Sequence, residues 1–264
     1  MKSVVLFDMD GTITPARKSI EPKMEEALRN LQTISEVGIV TGSEFEYVME
    51  QCGSFLNSGE DFSNLTILPC NGTQKYIFKD GKWSKESSLN MREHLGEKTF
   101  RRLMFLLSER MYITHLCNTG WEIPLSGQFI SYRDSLINWC PIGRKATDDD
   151  RKRFIERDKE HGIRERNLEV FKRGVLKESV EFALGGNTSI DVYPIGWDKT
   201  YALNHYEDYD HWFVGDRCTL PMGNDKPLYD KIREIKPDQA FEVKTTNDTL
   251  RIINNIITHI NTEE

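Results

Sequence analysis

The chain has 264 residues, a formal net charge of −7, and 29% charged against 38% hydrophobic residues. That length accommodates one large domain or two modest ones, and the acidic balance excludes a general nucleic-acid binder, which needs a basic face. No apolar run approaches the ~20 residues that span a bilayer, and Asp8 and Asp10 end the first apolar segment too early for a secretory signal.

The five cysteines (Cys52, Cys70, Cys117, Cys140 and Cys218) are scattered, without CxxC spacing. Isolated thiols suit a reducing compartment, so a cytoplasmic protein with neither membrane nor nucleic-acid partner is expected.

In chain order, Val4–Phe7 reads as a buried strand that runs directly into Asp8 and Asp10, with Gly11 and Thr12 turning the chain behind them. Residues 21–32 carry Met24, Ala27, Leu28 and Leu31 at helical spacing. "EVGIVTGS" (36–43) is a second strand leading into a polar turn. Residues 43–53 open on Ser43 and close on Gly53, which predicts a helix between those two punctuation points. "LTILPCNG" (65–72) is a third strand, and "YIFKDGKW" (76–83) a hairpin about Asp80-Gly81.

The texture then changes. Residues 91–112 predict an amphipathic helix; strand-like segments at 128–143 and 179–194 flank a highly charged helical stretch at 147–173. The strand-and-helix alternation returns only near residue 200, with "HWFVGD" (211–216) as its clearest strand. Alternation of this kind implies a parallel sheet with helices on its faces, and the interruption implies an inserted α+β domain. We expect a discontinuous core over residues 1–87 and 196–264, with the insert at 88–195.

Ligands of open α/β sheets bind beyond the carboxyl ends of the strands. Asp8, Asp10, Thr41, Ser43 and Asp216 all lie just past apolar runs, so they can converge on one edge. A carboxylate can attack phosphorus and form an aspartyl-phosphate, and a second one nearby can move the proton of the sugar oxygen. Carboxylates and phosphate repel, which calls for a hard cation such as Mg²⁺; Asp8 and Asp216 would supply side chains and Asp10 its backbone carbonyl. A lysine must also face the phosphorylated aspartate, and Lys199, at a loop-to-helix boundary, is the best candidate.

At this point "LFDMDGTITPARKSI", "VGIVTGSEFEYVMEQCG", "YRDSLINWCPIGR", "ALGGNTSIDVYPIGWDKTY" and "GNDKPLYD" together resemble the eukaryotic-type phosphomannomutases of the haloacid dehalogenase (HAD) superfamily, in order along nearly the whole chain. The resemblance implies a Rossmann-like HAD core with an inserted cap. It implies Asp8 as nucleophile, Asp10 as acid and base, and Asp225 as a further metal residue. It also implies substrate contacts from Arg17, Arg133, Arg144, Arg151, Ser189 and Asp191, a hexose 1,6-bisphosphate activator, hexose phosphate substrates, and a homodimer formed through the cap. The three cap arginines lie close in sequence, and guanidinium forks match phosphate oxygens.

Some residues depart from the family pattern. Thr41-Gly42-Ser43 stands where Gly-Gly-Ser is usual, and such a threonine resembles that of superfamily phosphatases, whose hydroxyl binds the transferring phosphoryl group. Cys70 replaces a glutamate, the loop 215–225 is one residue longer, and a second cation site does not carry over. A Mg²⁺-dependent sugar phosphatase is therefore the alternative reading, and a non-catalytic sugar-phosphate binder a third.

Overall fold

The computed structural model describes residues 2–117, 123–174 and 176–263. The chain divides into two compact units, Met1–Ser88 with Gly196–Glu264, and Leu89–Ile195. The first unit opens with β1 (Ser3–Phe7), α1 (Pro22–Gln32), β2 (Glu36–Val40), α2 (Phe45–Leu56), β3 (Leu65–Leu68), β4 (Gln74–Lys79) and β5 (Lys82–Ser88). The inserted unit follows with α3 (Met91–Leu95), α4 (Glu97–Cys117), β6 (Ile130–Tyr132), β7 (Ile137–Trp139), α5 (Asp148–His161), α6 (Ile163–Arg173), β8 (Val180–Gly185) and β9 (Ser189–Pro194). The chain returns to the first unit with β10 (Asp210–Gly215), α7 (Lys226–Ile235), β11 (Ala240–Glu242) and α8 (Thr246–Glu263).

The larger sheet has the order β11-β10-β1-β2-β3-β4-β5, parallel from β11 to β3 and antiparallel at β4 and β5. Its central strands are apolar at almost every position because both faces are covered. Alternation along β1 divides that cover. Val5 and Phe7 pack with Met24, Leu28 and Leu31 of α1, Phe55 of α2 and Ile253, Ile256 and Ile260 of α8. Val4 and Leu6 point the other way, toward Leu228 and Ile232 of α7. The α/β expectation with a mainly parallel sheet is borne out.

The order of the strands locates the site. From β1 the chain steps outward to β2 and β3, whereas β10 and β11 lie on the opposite flank of β1. The reversal falls between β1 and β10, and the crevice outside their carboxyl ends is where such sheets bind ligands.

The inserted unit is built on an antiparallel sheet of order β6-β7-β9-β8. Trp139 is fully buried, meets Phe171 edge-on at 5.5 Å between ring centroids, and donates its indole N–H to the Leu107 carbonyl at 3.0 Å.

Several element boundaries differ from the sequence reading. The helix expected over 91–112 is two helices, because Gly96 takes φ 73°, and α4 runs on to Cys117. The charged stretch likewise breaks at Gly162, φ 58°, between α5 and α6. Gly53 does not end α2; the helix continues to Phe55 and Leu56, whose burial outweighs the ~1 kcal/mol helix penalty of glycine. Ser43 is not its cap either, since Glu44 occupies that position. Among the described residues, no helix is long and apolar enough to cross a membrane.

Candidate active site

Asp8 is the first residue beyond β1, and its backbone N–H still extends the ladder to Val214 of β10 at 2.9 Å. The backbone is therefore held by the sheet while the carboxylate stands off its edge, 5% exposed. The turn behind it is tight: the N–H groups of Thr12, Ile13 and Thr14 all donate to the Met9 carbonyl, and the Thr12 hydroxyl reaches Asp8 Oδ2 at 3.4 Å. Gly11 has φ 88°, and a Cβ there would lie 2.5 Å from Asp216 Oδ2, so only glycine lets the turn and that carboxylate come so close.

Lys199 begins a short 3-10 helix, Lys199–His205, capped by the Asp198 side chain on the Thr200 N–H. It is completely buried, and its ammonium donates to both Asp8 Oδ1 and Asp225 Oδ1. Asp225 is equally buried and accepts the Arg217 N–H on its other oxygen at 3.0 Å. Asp8, Asp216 and Asp225 each offer a carboxylate oxygen within 4.8 Å of the others.

The electrostatics follow from that crowding. Burial, and then the charge of Asp225, push the Asp8 carboxyl well above the usual range despite Lys199. The same two causes, in the same order, raise Asp216 to about 6. Burial alone would lower Lys199, but the Asp225 and Asp8 carboxylates outweigh it and raise it. Lys199 faces Asp8 and Asp225, and the Arg217 guanidinium lies 3.8 Å from Asp216, so three carboxylates meet two cations and one negative charge is left over. An all-oxygen donor set carrying that charge fits a hard divalent cation.

The carboxylate of Asp10 lies outside that group and is held elsewhere. Its Oδ1 accepts the Arg17 N–H at 2.8 Å and the Tyr47 phenol at 3.1 Å. Only its backbone carbonyl thus remains the metal donor expected of it. Arg17 itself is exposed, with its backbone in the left-handed region at φ 61°. Thr41 and Ser43 form the turn after β2, the strand next to β1; Thr41 is buried, and its hydroxyl accepts the Ser43 N–H at 3.1 Å. Cys70 takes φ 50° and seats its N–H on the Ser43 carbonyl at 3.0 Å, bracing that turn.

The remaining candidates lie in the inserted unit. Arg133, Arg151, Ser189 and Asp191 are buried, and Arg144 is half-buried. Burial, followed by the charge of Arg133, lowers the Arg144 guanidinium, with Arg151 adding to the effect. Asn138 links Ser189 Oγ at 2.9 Å and Asp191 Oδ1 at 2.6 Å. Arg151 is heavily engaged within its own unit, donating to the carbonyls of Ala146 and Arg144 and to the Thr188 hydroxyl. Its guanidinium braces the Arg144 turn.

Asn138 and Tyr47 escaped the sequence reading. Asn138 did leave a signal, a lone amide between Ile137 and Trp139 on a fully buried strand, and its Oδ1 is buried without a hydrogen-bond partner. Tyr47 left none, being one of several aromatic residues in an amphipathic helix.

Comparison with known proteins bears on this arrangement. The profile of a family described as eukaryotic phosphomannomutase matches residues 24–259. A phosphomannomutase of Drosophila melanogaster is 36% identical over 262 residues, covering 96% of this chain and 95% of that protein. The chain belongs to the eukaryotic phosphomannomutase family.

A phosphomannomutase of Dendrobium officinale is likewise 36% identical, over 90% of this chain and 91% of its own length. Phosphomannomutase 2 of Dictyostelium discoideum is 34% identical over 96% and 95%. The fold extends beyond the family. IMP-nucleotidase of Plasmodium falciparum superposes with a TM-score of 0.67 at 14% identity, over 99% of this chain and 64% of that one. The C-terminal domain of a trehalose-6-phosphate phosphatase from C. albicans gives 0.61 at 15% identity, over 97% and 92%. At such identities the likeness is one of fold alone, and it bears out the α/β architecture expected of the chain.

Proposed function

We propose that this member of the phosphomannomutase family interconverts mannose 6-phosphate and mannose 1-phosphate through a phosphorylated Asp8 and a hexose 1,6-bisphosphate. The observation that carries the reading is the buried Lys199 ammonium joining Asp8 to Asp225 beside Asp216. Asp8 attacks phosphorus while Asp10 moves the proton of the sugar oxygen. Lys199 orients the nucleophile and balances the phosphoryl charge. Asp8, Asp216, Asp225 and the Asp10 carbonyl would hold Mg²⁺, which supplies charge neutralisation at the transferring phosphoryl group. Thr41, Ser43 and Arg17 take up the substrate on the core side, and Arg133, Arg144, Arg151, Ser189 and Asp191 of the inserted unit bind the sugar and its non-reacting phosphate. A hexose 1,6-bisphosphate serves as activator because it transfers one phosphoryl group to Asp8 and leaves as a hexose monophosphate.

The test is phosphorus NMR of the protein with mannose 1-phosphate, Mg²⁺ and a trace of glucose 1,6-bisphosphate. Mannose 6-phosphate should accumulate well ahead of inorganic phosphate. Dominant inorganic phosphate, independent of the activator, would replace the mutase by the sugar phosphatase.

Cation binding should also appear in thermal unfolding. The folded pKa of Asp216 is raised from 3.8 to about 6, so the metal-free protein loses stability as pH rises from the lower value through the upper. Mg²⁺ needs the ionised form, so the gain in Tm from millimolar Mg²⁺ should be clearly larger at about pH 8 than at about pH 5. Equal gains at both would remove Asp216 from the site.

A homodimer through the inserted unit is part of the same reading. On α4, Leu103, Leu107, Met111 and Thr114 are buried, while Phe105, Tyr112 and Leu116 on another face are 71%, 66% and 56% exposed. A second copy would cover that stripe. Sedimentation should give a dimer that Phe105→Glu with Tyr112→Glu converts to monomer; an unchanged dimer would place the interface elsewhere. A cytoplasmic setting is supported by the cysteines, all five of which are free thiols.

A further inference from the structure

The Asp10 carboxylate is gripped through one oxygen. Oδ1 accepts both the Arg17 N–H at 2.8 Å and the Tyr47 O–H at 3.1 Å, whereas among the described residues no donor meets Oδ2. Neither donor is there by loose contact. Arg17 reaches Asp10 from φ 61°, a backbone region that a side chain-bearing residue enters only against steric cost. Tyr47 projects from the first turn of α2, and that turn is anchored. Phe45 stacks on Tyr76 with centroids 4.0 Å apart, and Val48 is completely buried in the core.

An oxygen already filled by two donors has little capacity left for a proton. The proton that Asp10 exchanges with the sugar therefore belongs on Oδ2.

We propose that Tyr47 is a positioning residue for Asp10: its hydroxyl fixes the carboxyl group through Oδ1, so that Oδ2 is the atom that gives and takes the sugar proton. The proposal rests on the acid–base role of Asp10 in the proposed reaction. In the first step the bond from phosphorus to the sugar oxygen breaks, Asp8 bonds phosphorus, and the Oδ2 proton passes to the sugar oxygen. In the return step a sugar hydroxyl bonds phosphorus, its proton passes to Oδ2, and the Asp8–phosphorus bond breaks. Geometric control matters here because a proton transfer needs donor and acceptor within ~3 Å at the moment of bond cleavage.

Tyr47→Phe removes one oxygen from a partly buried ring, so the variant should fold; it is compared with Asp10→Asn and with the double variant. Each is assayed on mannose 1-phosphate, whose leaving alkoxide needs a proton, and in a single turnover on 4-nitrophenyl phosphate, where release of a phenolate that needs none is followed as Asp8 is phosphorylated, before the phospho-aspartate is discharged to water. On mannose 1-phosphate, Tyr47→Phe should lower kcat about tenfold with KM changed less than about twofold, the size expected of one hydrogen bond to a charged group. The loss on 4-nitrophenyl phosphate should be about tenfold smaller, and the Asp10→Asn background should absorb it altogether.

Equal losses on the two substrates, or a loss that persists in the Asp10→Asn background, would make Tyr47 a packing residue and overturn the proposal. So would full activity of Tyr47→Phe beside an impaired Asp10→Asn. If Asp10→Asn itself turns over mannose 1-phosphate normally, the acid–base assignment of Asp10 falls, and the role of Tyr47 with it.

Discussion

Asp8→Asn is expected to lower hexose phosphate turnover by on the order of 10⁴-fold or more, the range seen when a nucleophile is removed from a working constellation. The amide is isosteric but cannot attack phosphorus. The fold should survive, because the N–H of residue 8 keeps its bond to the Val214 carbonyl whatever the side chain. Stability should even move the other way. The Asp8 pKa is raised, chiefly by burial and then by Asp225, so its negative charge opposes folding at neutral pH. In the absence of Mg²⁺ the variant should melt no lower than the parent, and Mg²⁺ should stabilise it less. Steady-state kinetics with thermal unfolding in Mg²⁺ and in chelator checks both halves. Surviving turnover would remove Asp8 as nucleophile.

Lys199→Met is expected to have the largest effect on stability. The ammonium is completely buried between Asp8 and Asp225, and its removal leaves two carboxylates without their counter-charge. Breaking a buried ion pair from one side typically costs about 3–5 kcal/mol. The raised pKa of Lys199 gives the sign: its contribution is present throughout the neutral range and is lost only as pH rises through the folded value. Urea unfolding in chelator should show the deficit, and Mg²⁺ should recover part of it by restoring positive charge near Asp8. A loss under about 1 kcal/mol would mean that the carboxylates simply take up protons instead.

The parallel core was legible because its strands are long apolar runs with polar residues placed just beyond them. Asp8 and Asp216 could be named from that punctuation and Lys199 from its loop-to-helix boundary, and burial then brought Lys199 against Asp8 across 191 positions of sequence. Asp225 came only through family likeness, since nothing local distinguishes an aspartate in a glycine-containing loop. The helix breaks at Gly96 and Gly162 were missed because apolar spacing runs straight across both, and only the positive φ separates the helices. Tyr47 was invisible for a related reason. Its partner Asp10 lies 37 positions away, and no periodicity reports a single side-chain hydrogen bond between a loop and a helix.

The place of β1 in the sheet also bears on how the chain matures during synthesis. β1 pairs with β2 on one side and β10 on the other, so from the moment the first strands emerge from the ribosome it keeps an unpaired edge until Asp210–Gly215 arrives. The whole inserted unit is translated in that interval, with its own sheet complete. An exposed apolar edge is a template for wrong pairing. β1 is thus half-paired throughout that interval, and Asp8 cannot meet Lys199 before the segment that follows the inserted unit has been made.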